Sequence, residues 1–114
     1  MENGKLLLQH SKLGNLDKVI ELLKDTNVNY TDKYGYTALI YASITGKTEC
    51  VELLLEHPNI NVNYANKIDG TTALHVAART KNPQKKVIID LLLKHPTINP
   101  LQQDIYGTCY FDFI

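Results

Sequence analysis

The chain has 114 residues, 44% hydrophobic and 21% charged, the size and make-up of one folded domain rather than of a disordered or fibrous chain. Twelve basic residues balance twelve acidic ones for a net charge of zero, so neither nucleic acid nor an anionic membrane surface is expected as a partner. The apolar run Leu6 to Leu8 is too short for a signal-peptide core or a membrane span, and Cys50 and Cys109 lack the spacing of a disulfide framework or zinc ribbon. Free thiols in a reducing compartment follow, and with them an intracellular, cytoplasmic protein.

Taken in chain order, residues 1–30 form a degenerate first copy of a pattern seen more fully later. Shifted by 32 positions, Gly14 falls on Gly46, Val19 on Val51, and Leu22 and Leu23 on Leu54 and Leu55, before the VNY of 28–30. Residues 31–63 hold the clearest copy. Thr37 can cap a short helix through Leu39, Ala42 and Ser43, which Gly46 ends in a left-handed conformation. A second helix then presents Val51, Leu54 and Leu55 as an apolar stripe, with Glu49, Glu52 and Glu56 outside it, until Pro58 stops it. The stretch NINVNYANKIDG alternates polar and apolar residues and ends in Asp-Gly, which predicts an extended finger and turn.

Residues 64–99 repeat the order: GTTALHVA at 70–77 matches GYTALIYA at 35–42, and Leu91 to Leu93 lead into another His-Pro step. Three additional residues enter around Thr80 to Lys86. Residues 100–114 restart the pattern, with Asp104, Gly107 and Thr108 standing for Asp32, Gly35 and Thr37. A buried helix is predicted at Tyr110, Phe111, Phe113 and Ile114, an apolar end without the polar cap that a repeat stack needs. The whole of 1–114 is expected to be one domain, with 100–114 an incomplete C-terminal repeat.

A helix pair of this length cannot bury both faces alone, so neighbouring copies must stack into a solenoid with one apolar interior. Leu39, Leu54, Leu74 and Leu92 are expected in that core. The pattern D-x-x-G-x-T-A-L, then A-A or A-S, Gly, V-x-L-L-L and V-N resembles the ankyrin repeat over nearly the whole chain. The resemblance implies an all-α repeat solenoid of ankyrin type, with stacked helix-turn-helix units and β-hairpin-like fingers. Ala38 and Ala73 stand where that family usually has Pro, and Ile40 where it has His. His10 replaces a small Ala, which suggests a first copy whose outer side is open to water.

Catalysis finds little support. His75 with Thr72 could be cast as base and nucleophile, but the resemblance makes this His a framework residue that bonds the preceding Thr and a neighbouring finger. His57 and His95 lack the further ligands of a tetrahedral metal site. Neither cysteine has a basic neighbour to activate it, and Gly35, Gly70 and Gly107 are single turn glycines rather than a phosphate loop. No catalytic, metal or cofactor site is therefore expected.

Side chains that the fold does not require are more informative. Tyr34 and Tyr36 flank Gly35, Tyr106 precedes Gly107, and Tyr41 shares a helical side with Ile44. Lys33, Lys67 and Ile68 lie in neighbouring fingers, and Arg79 occupies the place of Ile44 in the next copy. These residues either shield the fingers or form a contact surface, and the enrichment of Tyr and Arg at interfaces favours the second. The expected function is a non-catalytic module that binds another intracellular protein through its concave surface of fingers and first helices. The alternative is a structural stretch of a longer multidomain protein, an enzyme, channel or pathogen effector whose activity lies elsewhere. Self-association through the incomplete C-terminal repeat is a further expected contact.

Overall fold

In the computed structural model, residues 2–113 are described, and they form six α-helices followed by a short 3₁₀ turn. The helices are α1 (Glu2–Leu13), α2 (Leu16–Leu23), α3 (Ala38–Thr45), α4 (Thr48–Leu55), α5 (Ala73–Arg79) and α6 (Lys85–Leu93), with the 3₁₀ turn at Tyr110–Phe113. Each odd-numbered helix packs antiparallel to the one after it. The first helices α1, α3 and α5 make an inner row, and α2, α4 and α6 an outer one. The stack measures 36 × 26 × 25 Å.

The apolar stripes of both rows meet in one core. Leu7, Val19, Leu39, Val51, Leu54, Leu74, Ile88 and Leu92 are all buried in it, which places the four predicted leucines together. Ala42, Ala77 and Ala78 are fully buried on α3 and α5, which pack against each other, and small side chains suit such close approach. Thr37 accepts a hydrogen bond from the Ile40 backbone N–H at 3.2 Å and so caps α3, and Gly46 closes that helix at φ 73°.

Fingers are tighter than extended hairpins, for no strand occurs among the described residues. Two backbone bonds close each: Asp32 N to Tyr36 O with Gly35 N to Asp32 O, Asn66 N to Thr71 O with Gly70 N to Asn66 O, and Asp104 N to Thr108 O with Gly107 N to Asp104 O. A side chain does the rest. Asp32 Oδ1 accepts the N–H groups of Tyr34 and Tyr36, Asn66 Oδ1 those of Ile68, Asp69 and Gly70, and Asp104 Oδ1 those of Tyr106 and Thr108. An Asx turn of this kind satisfies the backbone locally and leaves no ladder to extend.

The additional residues near Thr80 have a defined place. Where Gly46 and Lys47 suffice between α3 and α4, Thr80 to Gln84 connect α5 to α6, and Thr80 Oγ1 and Asn82 Nδ2 donate to the Ile44 and Thr45 carbonyls at 3.4 and 3.1 Å. The longer connector thus satisfies the C-terminal carbonyls of the preceding first helix.

Two expectations for the fourth copy are corrected. Thr108 closes the finger, as Tyr36 and Thr71 do, so Cys109 and not Thr108 takes the helix-capping place. The predicted buried helix is a four-residue 3₁₀ turn with Tyr110 and Phe113 half-buried and Phe111 exposed; Ile114 lies outside the described residues. Cys109 lacks the oxygen that caps α3 and α5, and its thiol turns to the Leu101 carbonyl at 3.4 Å instead. So short a segment forms too few hydrogen bonds to sustain an α-helix.

Candidate functional site

At the first full repeat the finger tip and the side of α3 beside it lie together, for Lys33, Tyr34 and Tyr41 line one concavity. At equivalent places the tips read Lys33–Tyr34, Lys67–Ile68 and Ile105–Tyr106. Tyr34, Ile68 and Tyr106 are 47%, 61% and 76% exposed, although each is large and apolar. The tips are held in fixed order: the Ile105 N–H donates to the Asp69 carbonyl at 2.9 Å, and the backbone of Asn66 and Lys67 passes close against Gly35.

The tyrosines at the first full repeat form a cluster. Tyr36 meets Tyr41 edge-on at 5.4 Å between ring centroids and Tyr34 at 6.5 Å. The Tyr41 hydroxyl donates to Asp32 Oδ2, so one carboxylate anchors both the finger backbone and the helix beside it. Burial and the adjacent Asp32 carboxylate push the Tyr41 phenol above its ordinary range. Lys12 Nζ lies 4.3 Å from the Tyr41 ring centroid and Lys33 Nζ 5.2 Å from that of Tyr34. Ile44 is exposed one turn along α3 from Tyr41.

Arg79 is placed differently. Its guanidinium donates to Thr71 Oγ1 at 3.0 Å and to the buried Asp104 at 2.8 Å, and it stacks on Phe113 at 4.6 Å. Burial alone would raise the Asp104 carboxyl, but the N–H bonds from Thr108 and Tyr106, with other nearby groups, outweigh it and hold the carboxyl below its usual range. Arg79 therefore ties the third helix pair to the third finger, that of the fourth copy.

His75 is buried: its Nδ1 meets Thr72 in a reciprocal cap, and its Nε2 lies 2.7 Å from the Thr108 carbonyl in the next finger. His57 and His95 each accept a backbone N–H two residues on, from Asn59 and Thr97, which locks the turn after α4 and α6. Cys50 and Cys109 are free and buried, and burial raises the Cys50 thiol. Among the described residues no group of three His, Cys, Asp or Glu side chains is placed to hold a metal ion, and no helix is long and apolar enough to cross a membrane.

A concavity lies on this same side, a groove of about 580 Å³ between α1 and the first finger. Lys33, Tyr34 and Tyr41 line it together with Lys5, Leu8, Gln9, Lys12 and Tyr30, which the composition and repeat arguments do not single out. A signal for α1 was nonetheless available: Lys5, Gln9 and Lys12 stand at i, i+4 and i+7, one face of one helix.

Residues 7–104 match the family model described as ankyrin repeats, in three copies. Over 82 residues the chain is 43% identical to the human BCL-6 corepressor-like protein 1, covering 69% of this chain and 4% of that protein. It is 34% identical over 88 residues to BTB/POZ domain-containing protein 1 of Schizosaccharomyces pombe (strain 972 / ATCC 24843), covering 76% of this chain and 6% of that protein. A shorter match, 50% identical over 38 residues, is to Inversin of Danio rerio and covers 33% of this chain and 4% of that protein. The chain thus spans a small fraction of the length of the curated relatives it matches. With the landmarks, the stacked helix pairs and the family match in agreement, the chain belongs to the ankyrin-repeat family.

Proposed function

We propose that this chain is a non-catalytic interaction module that binds another protein of the cell interior through the concave side made by its fingers and first helices. The observation that carries the reading is the row Tyr34, Ile68 and Tyr106, large side chains held in register at finger tips and serving no core. Recognition by preformed surface needs no catalytic group, and rigid aromatic anchors on such a surface typically carry most of the affinity. The two unpaired cysteines support a reducing location.

A test begins with a partner recovered from cell extract and identified. Tyr34→Ala with Tyr36→Ala is expected to weaken binding by about 2 kcal/mol per anchor, while Glu49→Ala with Glu52→Ala on the outer row changes little beyond association rate. Each pair is checked first for unchanged helical content and melting. Loss of binding in the glutamate pair alone would place the contact on the opposite face. A second reading, a binding segment within a larger multidomain protein, is favoured by the small share of each relative that the chain covers.

A further inference from the structure

We propose that the groove between α1 and the first finger docks an acidic peptide segment carrying one large apolar side chain. This rests on the interaction-module reading and adds the chemistry of the partner. The groove's volume, about 580 Å³, suits one bulky side chain with its flanking backbone. Tyr30, Tyr34 and Tyr41 supply aromatic walls, and Lys5, Lys12 and Lys33 supply exposed ammonium groups around them.

Among the described residues, none of these three lysines is in an ion pair. The two ion pairs among the described residues are Lys18–Glu21 and Arg79–Asp104, both elsewhere. Contacts of Lys12 and Lys33 with tyrosine rings hold the ammonium groups near the groove while leaving their charge intact. Asp32 is the one acid among the described residues lining the groove, and its two oxygens are already engaged by the Tyr34 and Tyr36 N–H groups and the Tyr41 hydroxyl. Three lysines therefore face one committed carboxylate in a molecule whose net charge is zero. The compensating acids include the exposed Glu49 and Glu52 of α4 and Glu56 just after it, so an acidic segment is drawn to the groove and repelled from the outer row.

The same arrangement selects against other anions. A compact dianion seated deep in the groove would meet the Asp32 carboxylate without the arginine fork that favours phosphate. A nucleic-acid strand needs a basic track, whereas the tips pass from Lys33 and Lys67 to Ile105 along the stack. Carboxylates spread along a peptide can reach separate lysines while its apolar side chain rests on the tyrosines.

The experiment selects random displayed peptides on the immobilised full chain and then measures a fluorescein-labelled winner by anisotropy. Expected winners combine Asp or Glu with one Phe, Trp, Tyr or Leu. Lys5→Glu with Lys12→Glu should weaken the labelled peptide at least about tenfold, as should salt at about 1 M, where the screening length falls to about 3 Å. Glu49→Gln with Glu52→Gln should leave it within about twofold. Circular dichroism establishes that each variant folds, and Lys5→Gln with Lys33→Gln replaces the first pair if it does not. Neutral or basic winners, or affinity indifferent to the lysines, would overturn the groove assignment. Peptides lost instead on Ile68→Ala with Tyr106→Ala would overturn the groove and leave the interaction module standing. No enrichment overturns the groove, and the module then depends on the tyrosine and glutamate comparison above. A labelled oligothymidine that binds with the same lysine dependence, where acidic peptides do not, would identify nucleic acid and end the proposal.

Discussion

At the residue scale, short amides and carboxylates organise the backbone. Asn29 Oδ1 accepts the Asn61 N–H at 2.9 Å while its Nδ2 donates to the Asn59 carbonyl, and Asn63 makes the same pair of bonds to Asn99 and Thr97. Each Asn thereby satisfies two backbone groups of the next copy, which gives the repeated Val-Asn its purpose. Glycine matters for close approach as well as for conformation. A Cβ on Gly35, at φ 83°, would stand 2.8 Å from the Lys67 backbone N, whereas one on Gly107, at φ 75°, would meet nothing within 4 Å. Gly107→Ala is therefore expected to cost about 1 to 2 kcal/mol from the left-handed conformation alone. Gly35→Ala should cost roughly twice that, because the neighbouring finger must also shift. Urea midpoints measure both, and equal shifts would mean that the first two fingers do not bear on each other.

At the element scale, the two central first helices share one beginning in two strengths. Thr37 and Thr72 each accept the N–H three residues on, but only in α5 does the side chain at that third place, His75, return a bond to the cap. Ile40 has no such group. Thr72→Ala is thus expected to cost about 2 kcal/mol and Thr37→Ala about 1, the difference arising from the reciprocal bond. Thermal melting of the two variants gives the comparison, and a larger loss at Thr37 would deny the His75 bond any net value. The fourth copy shows what happens when the cap oxygen is missing: Asp112 still accepts the Cys109 N–H at 2.9 Å, yet only a 3₁₀ turn forms. Half of a cap does not start an α-helix here.

For the whole molecule, stability in a stack is a sum of unit and interface terms, so the ends govern behaviour in solution. The described part of the fourth copy exposes Leu101, Ile105, Tyr106 and Phe111, while Phe113 lies edge-on to His75 at 6.4 Å and covers only part of the third pair. Reversible self-association is accordingly expected in sedimentation at rising concentration, and Leu101→Ser with Phe111→Ser should return the protein to monomer. A monomer at every concentration would show that Phe113 and Arg79 close that end by themselves. In the first copy His10 is half-buried, with its Nδ1 3.0 Å from Asn15 Nδ2.

The amino-acid sequence by itself determined the helix pairs, their stops and their shared core, because caps, turn glycines and apolar spacing act within a few residues. Thr37, Gly46, Val51 and Leu54 are legible without partners for that reason. Tertiary structure alone decided how the copies meet. Lys5 and Lys12 share a groove with Lys33 because α1 packs beside the first full repeat, and a net charge of zero is a sum that says nothing of where charges gather. Arg79 reads as a free contact residue until the fold brings Asp104 and Phe113 to it. The fingers read as extended, hairpin-like turns by alternation, yet one Asx side chain each takes the place of strand pairing. Local chemistry is written in spacing, whereas contacts between copies depend on stacking geometry and side-chain reach across about thirty residues of chain.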